Sequence, residues 1–204
     1  MTTLSVGLTG NVASGKSSVG RLFESWGARL IDADRIVHEL QRPGTPVLAA
    51  MVSRFGPGIL AGDGTLDRAA MRHLVTANPA ARRDLEAIVH PAVRARRDQL
   101  MATARQAGVP VVVQDIPLLF ETMDPAGFDA VVLVDAPAST RRDRLIRDRG
   151  FSLEEADRLM ATQTPSDTKR SRSQFVIDND GDRATLEART RAVWEALLTT
   201  AGHA

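Results

Sequence analysis

The sequence predicts an α/β protein whose core is a doubly wound sheet of about five parallel strands. Two observations carry this prediction. Short apolar runs alternate with helical patterns, and no internal repeat or low-complexity linker interrupts them. Parallel strands need long crossover connections and are buried on both faces, so they read as continuous apolar runs between helices.

The predicted elements follow in order along the chain. The strands are predicted at 4–9, 29–32, 109–115, 130–135 and 175–177, and the first helix at 16–26. Between 34 and 107 only helical patterns occur, such as 67–76 and 80–88, which predicts a helical insertion. The segment 138–172 is also helical and rich in arginine. A solvated helix face with i,i+4 charge pairs explains most of these arginines, and one or two are enough for a phosphate-facing lid.

Composition excludes several classes of function. The chain has 204 residues with 26 basic and 25 acidic side chains, and this balance argues against a general nucleic-acid binder. No apolar run reaches the ~18 to 20 residues that span a bilayer, and the amino terminus lacks a secretion signal, so we expect a cytoplasmic protein with no membrane partner. The absence of cysteine excludes disulfides, thiolate metal sites and cysteine nucleophiles.

A phosphate-binding loop is the strongest motif in the sequence. Residues 10–17 fit the pattern Gly, four residues, Gly, Lys, Ser/Thr between a predicted strand and a predicted helix. Such a loop holds a triphosphate with backbone N–H groups, a lysine and a helix dipole, while its serine ligates Mg²⁺. We therefore predict bound ATP and Mg²⁺, with Ser17 as the metal ligand. The predicted nucleotide-binding residues of the loop are Ala13, Ser14, Gly15, Lys16, Ser17 and Ser18.

The remaining motifs favour transfer of phosphate to a hydroxyl other than water. A GTPase needs an Asn/Thr-Lys-x-Asp motif, but Lys169 is followed by Arg170 and Ser171. Mechanical ATPases place a glutamate after the aspartate that ends the second strand of the site, and neither Asp115 nor Asp135 is followed by one. Such a P-loop enzyme with an inserted helical region and a lid is typical of a small-molecule kinase.

With these motifs, the sequence resembles the dephospho-coenzyme A kinase family over nearly its whole length. The matching segments are 7–10, 31–34, 55–56, 63–68, 85–91, 117–121 and 176–179. The resemblance implies ATP-dependent phosphorylation of the ribose 3′-hydroxyl of dephospho-CoA. The sequence departs from the family at Asn11 and Ala13, where glycine is common, at Ser18, where threonine is common, and at 173–174.

Asp34 is predicted to be the catalytic base. It follows the second strand, where doubly wound sheets bind their ligands, and the resemblance implies the same role. The alternative is a helix cap, because aspartate is a favoured cap and a helical stretch follows. Asp32 is then a structural residue or lies near Mg²⁺.

Further polar residues have predicted roles near the nucleotide. Arg144 is predicted to contact phosphate or to pair on the surface, and the resemblance favours phosphate; Lys16 and Arg144 complete the predicted catalytic set. The resemblance places Asn179 in the loop that contacts adenine. Asp115 holds magnesium through water or caps the turn into Pro117.

Four further residues receive structural assignments, and one receives none. His90 and Pro91 read as a helix start, Asp63 as part of a turn and Asp67 as a helix cap. The sequence gives no role for Lys169.

The predicted organisation is a P-loop nucleotide-binding core with two additions. Residues 1–33, 108–137 and 173–204 form the core, 34–107 the helical acceptor domain for dephospho-CoA and 138–172 the lid. We expect a monomer or weak homo-oligomer. Two alternatives stay open: another small-molecule kinase, acting on nucleosides or nucleotides, and a nucleotide-dependent binding switch.

Overall fold

The fold is a five-stranded sheet surrounded by helices, as the sequence predicts. The structure, a computed structural model, describes residues 2–203. Its strands are β1 (Leu4–Gly10), β2 (Arg29–Asp32), β3 (Val111–Asp115), β4 (Ala130–Asp135) and β5 (Phe175–Asp178). They lie in the order β2-β3-β1-β4-β5. Strand β1 pairs in parallel with β3 and with β4, and β4 pairs in parallel with β5.

The helices fill the connections between the strands. They are α1 (Lys16–Ser25), α2 (Ala33–Leu40), α3 (Pro46–Phe55), α4 (Arg68–Ala77), α5 (Pro79–Gln106), α6 (Leu119–Thr122), α7 (Ala138–Arg149), α8 (Leu153–Ala161), α9 (Ser166–Ser171) and α10 (Arg183–His203). None of the helices in residues 2–203 has the length and apolarity that crossing a bilayer requires.

The chain divides into two compact units. The sheet unit runs to Ile31 and resumes at Thr103, and the helical unit is Asp32–Ala102. In the sheet unit, every residue of β1, β3 and β4 is buried. The core joins these strands to Phe23 of α1 and Trp194 of α10. The register pairs Leu8 with Asp115 and Gly10 with Val134, so β1, β3 and β4 end at one edge of the sheet.

The helical unit has an apolar core of its own. Its buried members are Val47, Met51, Ile59, Met71 and Val89. Two predictions for this unit are confirmed, the helix cap at Asp67 and the turn at Asp63. The Asp67 carboxylate caps α4 by accepting hydrogen bonds from the first-turn amides, and Asp63 accepts a hydrogen bond from the Thr65 amide across a turn in which Gly64 has a φ of 80°.

The prediction that a helix begins at His90 and Pro91 is wrong. Pro91 lies inside α5, which runs without interruption from Pro79 to Gln106. A proline in a helix removes one backbone hydrogen bond and crowds the preceding turn. Here Val89 on one side of Pro91 and Val93 on the other both pack into the core of the helical unit. That burial holds the helix together across the proline.

The arginine-rich segment 138–172 consists of three helices. Gly150, in the left-handed conformation with φ 70°, ends α7. Ser152 then starts α8 with a reciprocal capping box, in which its side chain and that of Glu155 each accept the other residue's backbone N–H. Pro165 precedes α9. Helices α7, α8 and α9 therefore have separate starts.

Candidate nucleotide site

The loop between β1 and α1 has a backbone that two glycines make possible. A Cβ atom at Gly10 would lie 2.5 Å from the Val134 carbonyl oxygen and 2.6 Å from Ser14 Oγ. Gly15 has a φ of 93°, and a Cβ there would collide with Asn179 Nδ2. Left-handed conformations and close approach are both open to glycine alone at low cost. The loop can therefore turn tightly into α1.

The departures from the family pattern are accommodated in the loop. Ala13 adopts φ 60°, the left-handed region that glycine enters most easily, which gives a physical reason why glycine is common there. Asn11 is buried, and its amide nitrogen donates to Ser166 Oγ at 3.1 Å and to the Thr164 carbonyl at 3.5 Å. The extra side chain at position 11 thus ties the loop to the segment before α9.

Helix α1 begins in a way that suits an anion. Its N-cap residue is Gly15, which supplies no side-chain cap. The amides of a helix's first turn have no partner within the helix and carry the positive end of its dipole. Ser14 Oγ is also buried and has no hydrogen-bond partner among the described residues. These groups fit the phosphates of a nucleotide.

Lys16 is the first residue of α1, and its ammonium pairs with the carboxylate of Asp115. Asp115 ends β3, next to β1 in the sheet. Both side chains are mostly buried, with 14% and 11% of their surface exposed. Lys16, the predicted phosphate-binding lysine, is therefore held by Asp115. The sequence left two roles open for Asp115, holding magnesium through water or capping the turn into Pro117.

Arg144 and Asn179 meet at the loop. Arg144 on α7 donates through Nη1 to the Ala13 carbonyl at 3.1 Å and through Nη2 to the Asn179 carbonyl at 3.3 Å. Asn179, just after β5, donates through its amide nitrogen to the Ser14 carbonyl at 2.7 Å. A planar guanidinium can make two such bonds at once, so Arg144 joins the two segments.

A cavity of about 690 Å³ opens beside these groups. The residues lining it include Gly15, Ser18, Arg21, Arg144, Asn179 and Arg183. The sequence reasoning missed two of these arginines. Arg21 stands one helical turn after Ser18 on α1, and Arg183 begins α10, the helix that follows β5 after a loop of four residues. Helical spacing from the loop serines and the position after the last strand could have identified them. Three arginines line the cavity together with Asp182 and Glu187, and the resulting excess of positive charge suits an anion.

Ser17 and Ser18 lie in the first turn of α1. Ser17 is exposed at the mouth of the loop, and Ser18 lines the cavity. Within residues 2–203, no group of three or more histidine, aspartate or glutamate side chains is arranged to hold a metal ion. The role of Ser17 as a magnesium ligand stays a prediction.

Asp34 is an exposed residue of the helical unit, in the first turn of α2. The cap of this helix is Asp32, whose carboxylate accepts a hydrogen bond from the Arg35 amide at 3.0 Å. The alternative that Asp34 is the cap is therefore wrong, because Asp32 already occupies that position. Among the described residues, no hydrogen bond or ion pair engages the Asp34 side chain.

The segment before and within α9 is fastened to the carboxyl edge of the sheet. Arg170 pairs with Asp135 at 3.1 Å and with Asp178 at 2.5 Å, at the ends of β4 and β5. Hydrogen bonds from the guanidinium to these two carboxylates raise the pKa of Arg170 above its ordinary value. Gln163, which the sequence reasoning also missed, accepts the Val12 amide proton through Oε1 at 2.9 Å. No periodicity or motif marks Gln163, since its contact depends on how the chain folds back.

Comparison with known proteins places this site in context. A sequence model of the dephospho-CoA kinase family matches residues 4–185. A dephospho-CoA kinase of Symbiobacterium thermophilum is 47% identical over 191 residues, which cover 94% of this chain and 80% of the relative. A dephospho-CoA kinase of Geobacter sulfurreducens is 41% identical over 189 residues, covering 93% of this chain and 96% of the relative.

Two solved structures have folds similar to that of this chain. A crystal structure of a Thermus thermophilus protein has a TM-score of 0.80 and 34% identity, covering 97% of this chain and 99% of that one. A dephospho-CoA kinase of Campylobacter jejuni has a TM-score of 0.74 and 24% identity, covering 98% of this chain and 99% of that one. The second likeness concerns the fold alone. The match thus extends over both units of the chain.

Proposed function

The chain belongs to the dephospho-CoA kinase family, and from this premise we infer its reaction and the roles of its residues. It transfers the γ-phosphoryl group of ATP to the ribose 3′-hydroxyl of dephospho-CoA, giving coenzyme A and ADP. The observation that carries this conclusion is the family match over residues 4–185, which includes the phosphate loop with its paired Lys16.

We propose that the phosphates of ATP bind in the loop. The first-turn amides of α1, the buried Ser14 hydroxyl and the Lys16 ammonium would hold the β- and γ-phosphates. The cavity lined by Arg144 and Asn179 would receive the rest of the nucleotide. Its volume of about 690 Å³ is within the range of pockets that hold ligands of this size.

Magnesium fits the groups at this end of the loop. Ser17 would offer its exposed hydroxyl, and Asp115 its carboxylate through water, which are the hard oxygen ligands that Mg²⁺ prefers. When bound, the ion neutralises charge on the phosphate oxygens. We expect Lys16 to shift from Asp115 towards the phosphates when ATP enters.

Arg144 is proposed to stabilise the transferred phosphoryl group. Its guanidinium already bridges two carbonyl groups beside the loop, so its fork is oriented before a ligand arrives. Phosphoryl transfer places charge on three equatorial oxygens, and a guanidinium can donate to two of them. Such preorganised donors lower the barrier without reorganisation during the reaction.

Asp34 is proposed to be the general base. The ribose 3′-oxygen forms a bond to the γ-phosphorus, the bond from that phosphorus to the β–γ bridging oxygen of ATP breaks, and the hydroxyl proton passes to the Asp34 carboxylate. The exposed side chain of Asp34 is engaged by no other group among the described residues, so it is available to accept this proton. The capping role that competed with this assignment belongs to Asp32.

The organisation into an acceptor domain at 34–107 and a lid at 138–172 is also proposed. The independent apolar core of the helical unit supports the first, because an insertion with its own core keeps its shape while presenting an acceptor site. The contacts of Arg144 and Asn11 support the second, since they attach the lid segment to the loop. A cytoplasmic location and a monomer or weak homo-oligomer complete the proposal.

The proposed function is tested by comparing acceptors. Purified protein would be incubated with Mg²⁺·ATP and either dephospho-CoA, nucleosides, nucleoside monophosphates or no acceptor, and ADP release would be followed by a coupled assay. We expect rapid ADP release only in the reaction that contains dephospho-CoA as the acceptor. Preference for a nucleoside or nucleotide would identify another small-molecule kinase, and ATP binding with no acceptor-dependent ADP release would identify a binding switch.

A further inference from the structure

Lys169 is a fully buried cation that the proposed reaction does not use. It is one of the two lysines in the chain, the other being Lys16, and it lies on α9 with no exposed surface. Its ammonium is 2.8 Å from Oε1 of Glu121, on α6. Burying an ammonium is costly unless it is paired, and a pair of this kind is weak evidence for stability alone. The pair therefore calls for another explanation.

Glu121 connects Lys169 to the phosphate loop. Its Oε1 accepts the backbone proton of Thr164 at 3.0 Å. The carbonyl of Thr164 in turn accepts a hydrogen bond from the Asn11 amide, and the neighbouring Gln163 accepts the Val12 amide proton. Asn11 and Val12 are residues of the loop itself. A continuous series of polar contacts thus runs from the buried ammonium to the loop backbone.

A second contact joins the same two segments. The Arg172 guanidinium lies 4.9 Å from the centre of the Phe120 ring. Phe120 immediately precedes Glu121, and Arg172 follows α9. This cation–π contact and the buried pair hold the segment after β3 against the segment that ends the lid.

The charge state of Glu121 suits its role as an acceptor. Partial burial by itself raises the pKa of a carboxyl group, but the adjacent Lys169 ammonium and the hydrogen bond from the Thr164 amide outweigh it, and the pKa of Glu121 lies below its ordinary value. A carboxylate accepts from two donors at once more strongly than a neutral group does. Removal of Lys169 would leave this carboxylate partly buried and without its cation.

We propose that Lys169 is a positioning residue for ATP binding, which acts through Glu121 to hold Gln163 and Thr164 against the loop. The inference rests on the proposed function in that the loop is taken to bind ATP. Lys169 has no part in the chemical step. Its substitution should therefore change the affinity for ATP and spare the rate at saturating ATP.

The test uses the full chain with four variants and one control. The variants are Lys169→Met, Gln163→Ala, the pair Lys169→Met with Glu121→Gln, and the pair Lys169→Met with Gln163→Ala. The control is Arg158→Met, which removes an exposed cation from α8 in the same segment. Each protein would be assayed for KM for ATP and for kcat with dephospho-CoA, with ATP affinity also measured by calorimetry.

We expect Lys169→Met to raise the KM for ATP at least ~10-fold while kcat changes less than ~3-fold, because an unpaired carboxylate would turn to solvent and release Thr164. Adding Glu121→Gln should return KM to within ~3-fold of the wild type, because a neutral side chain keeps the bond to Thr164 without needing a cation. Gln163→Ala alone should raise KM in the same way. In the double variant with Lys169→Met, the KM for ATP should rise by less than the product of the two single fold-changes, because both substitutions disrupt the same series of contacts.

Three results would overturn the inference. The first is an unchanged KM for ATP in Lys169→Met or in Gln163→Ala. The second is a KM in the pair with Glu121→Gln that is raised as much as in Lys169→Met. The third is a KM in the pair with Gln163→Ala that equals the product of the two single effects. If Lys169→Met does not fold, a folded Glu121→Gln pair with near wild-type KM and a raised KM in Gln163→Ala would support the inference. A pair with a KM raised at least ~10-fold, or an unchanged KM in Gln163→Ala, would overturn it. A wild-type protein that fails to phosphorylate dephospho-CoA would contradict the proposed function instead, and wild-type calorimetry would still show whether the loop binds ATP.

Discussion

Lys16 and Asp115 form an ion pair at the edge of the sheet where β1 and β3 end. The parallel register explains this pair. Leu8 lies opposite Asp115, and the loop that follows β1 returns the chain to the same edge of the sheet at Lys16. The lysine is thus held beside the loop before a nucleotide arrives. We expect its ammonium to turn from Asp115 towards the phosphates when ATP binds, so that its charge is in place before phosphoryl transfer begins.

Gly15→Ala should abolish measurable ATP binding. The residue has a φ of 93°, and its Cβ would collide with the Asn179 side chain that holds the Ser14 carbonyl. Gly27→Ala is the matched control, because Gly27 has a φ of 105° with nothing within 4 Å of an added Cβ. The control should lose about 1–2 kcal/mol of stability from backbone strain yet bind ATP normally. Equal ATP affinity of the two variants, measured by calorimetry, would argue against the loop geometry described.

Arg144→Lys should lower kcat at least ~10-fold, since arginines that stabilise the transferred phosphoryl group contribute more than this. Lysine keeps the charge but cannot form the two bonds to Ala13 and Asn179 with one planar group. Arg149→Lys, on the exposed face of α7, should leave kcat unchanged. Steady-state kinetics with dephospho-CoA would measure both, and a normal kcat in Arg144→Lys would remove the arginine from the chemical step.

Asp34→Asn should lower kcat by at least ~10²-fold with nearly normal ATP affinity, because the amide cannot accept the hydroxyl proton. Asp32→Ala should behave differently. It removes the cap of α2 and should cost about 1 kcal/mol of stability. Single-turnover rates and thermal unfolding would separate the two effects. Near-normal turnover of Asp34→Asn would show that another group takes the proton.

Stability should depend on pH through Glu121. Its pKa in the folded protein is below the ordinary value of 4.5, so the stabilisation is present above that pH and is lost as the pH falls through the folded pKa. The groups responsible are the Lys169 ammonium and the Thr164 amide. Urea unfolding at pH values from about 5 to 3 would show a steeper loss of stability in the wild type than in the Lys169→Met, Glu121→Gln pair. Identical slopes would mean that Glu121 titrates normally.

Local patterns in the sequence were sufficient to predict the sheet and the loop. Strands β2 and β4 have the predicted bounds, and β4 is a fully buried, mainly apolar run. The loop motif predicts a tight turn into α1, and the cap at Asp67 needs only its immediate neighbours. These features depend on interactions over a few residues.

Features that depend on tertiary packing could not be predicted. Helix α5 continues through Pro91 because residues on both sides of the proline are buried, and the sequence pattern there favours a break. Lys169 is one of only two lysines in the chain, yet no local pattern indicates its partner Glu121, which lies in a distant part of the chain. Gln163 carries no recognisable pattern, since its importance comes entirely from the Val12 amide it meets.

Formation of coenzyme A by the wild type and by Lys16→Met, with Mg²⁺·ATP and dephospho-CoA, tests the central claim most directly. The position of the new phosphate would be read by ³¹P NMR, and thermal unfolding would confirm that the variant is folded. We expect the wild type to form one 3′-phosphate per ADP, and the variant to be slower by at least ~10²-fold, because it lacks the charge that meets the phosphates. A wild type that forms no coenzyme A, or a folded Lys16→Met protein that forms it at the wild-type rate, would contradict the claim.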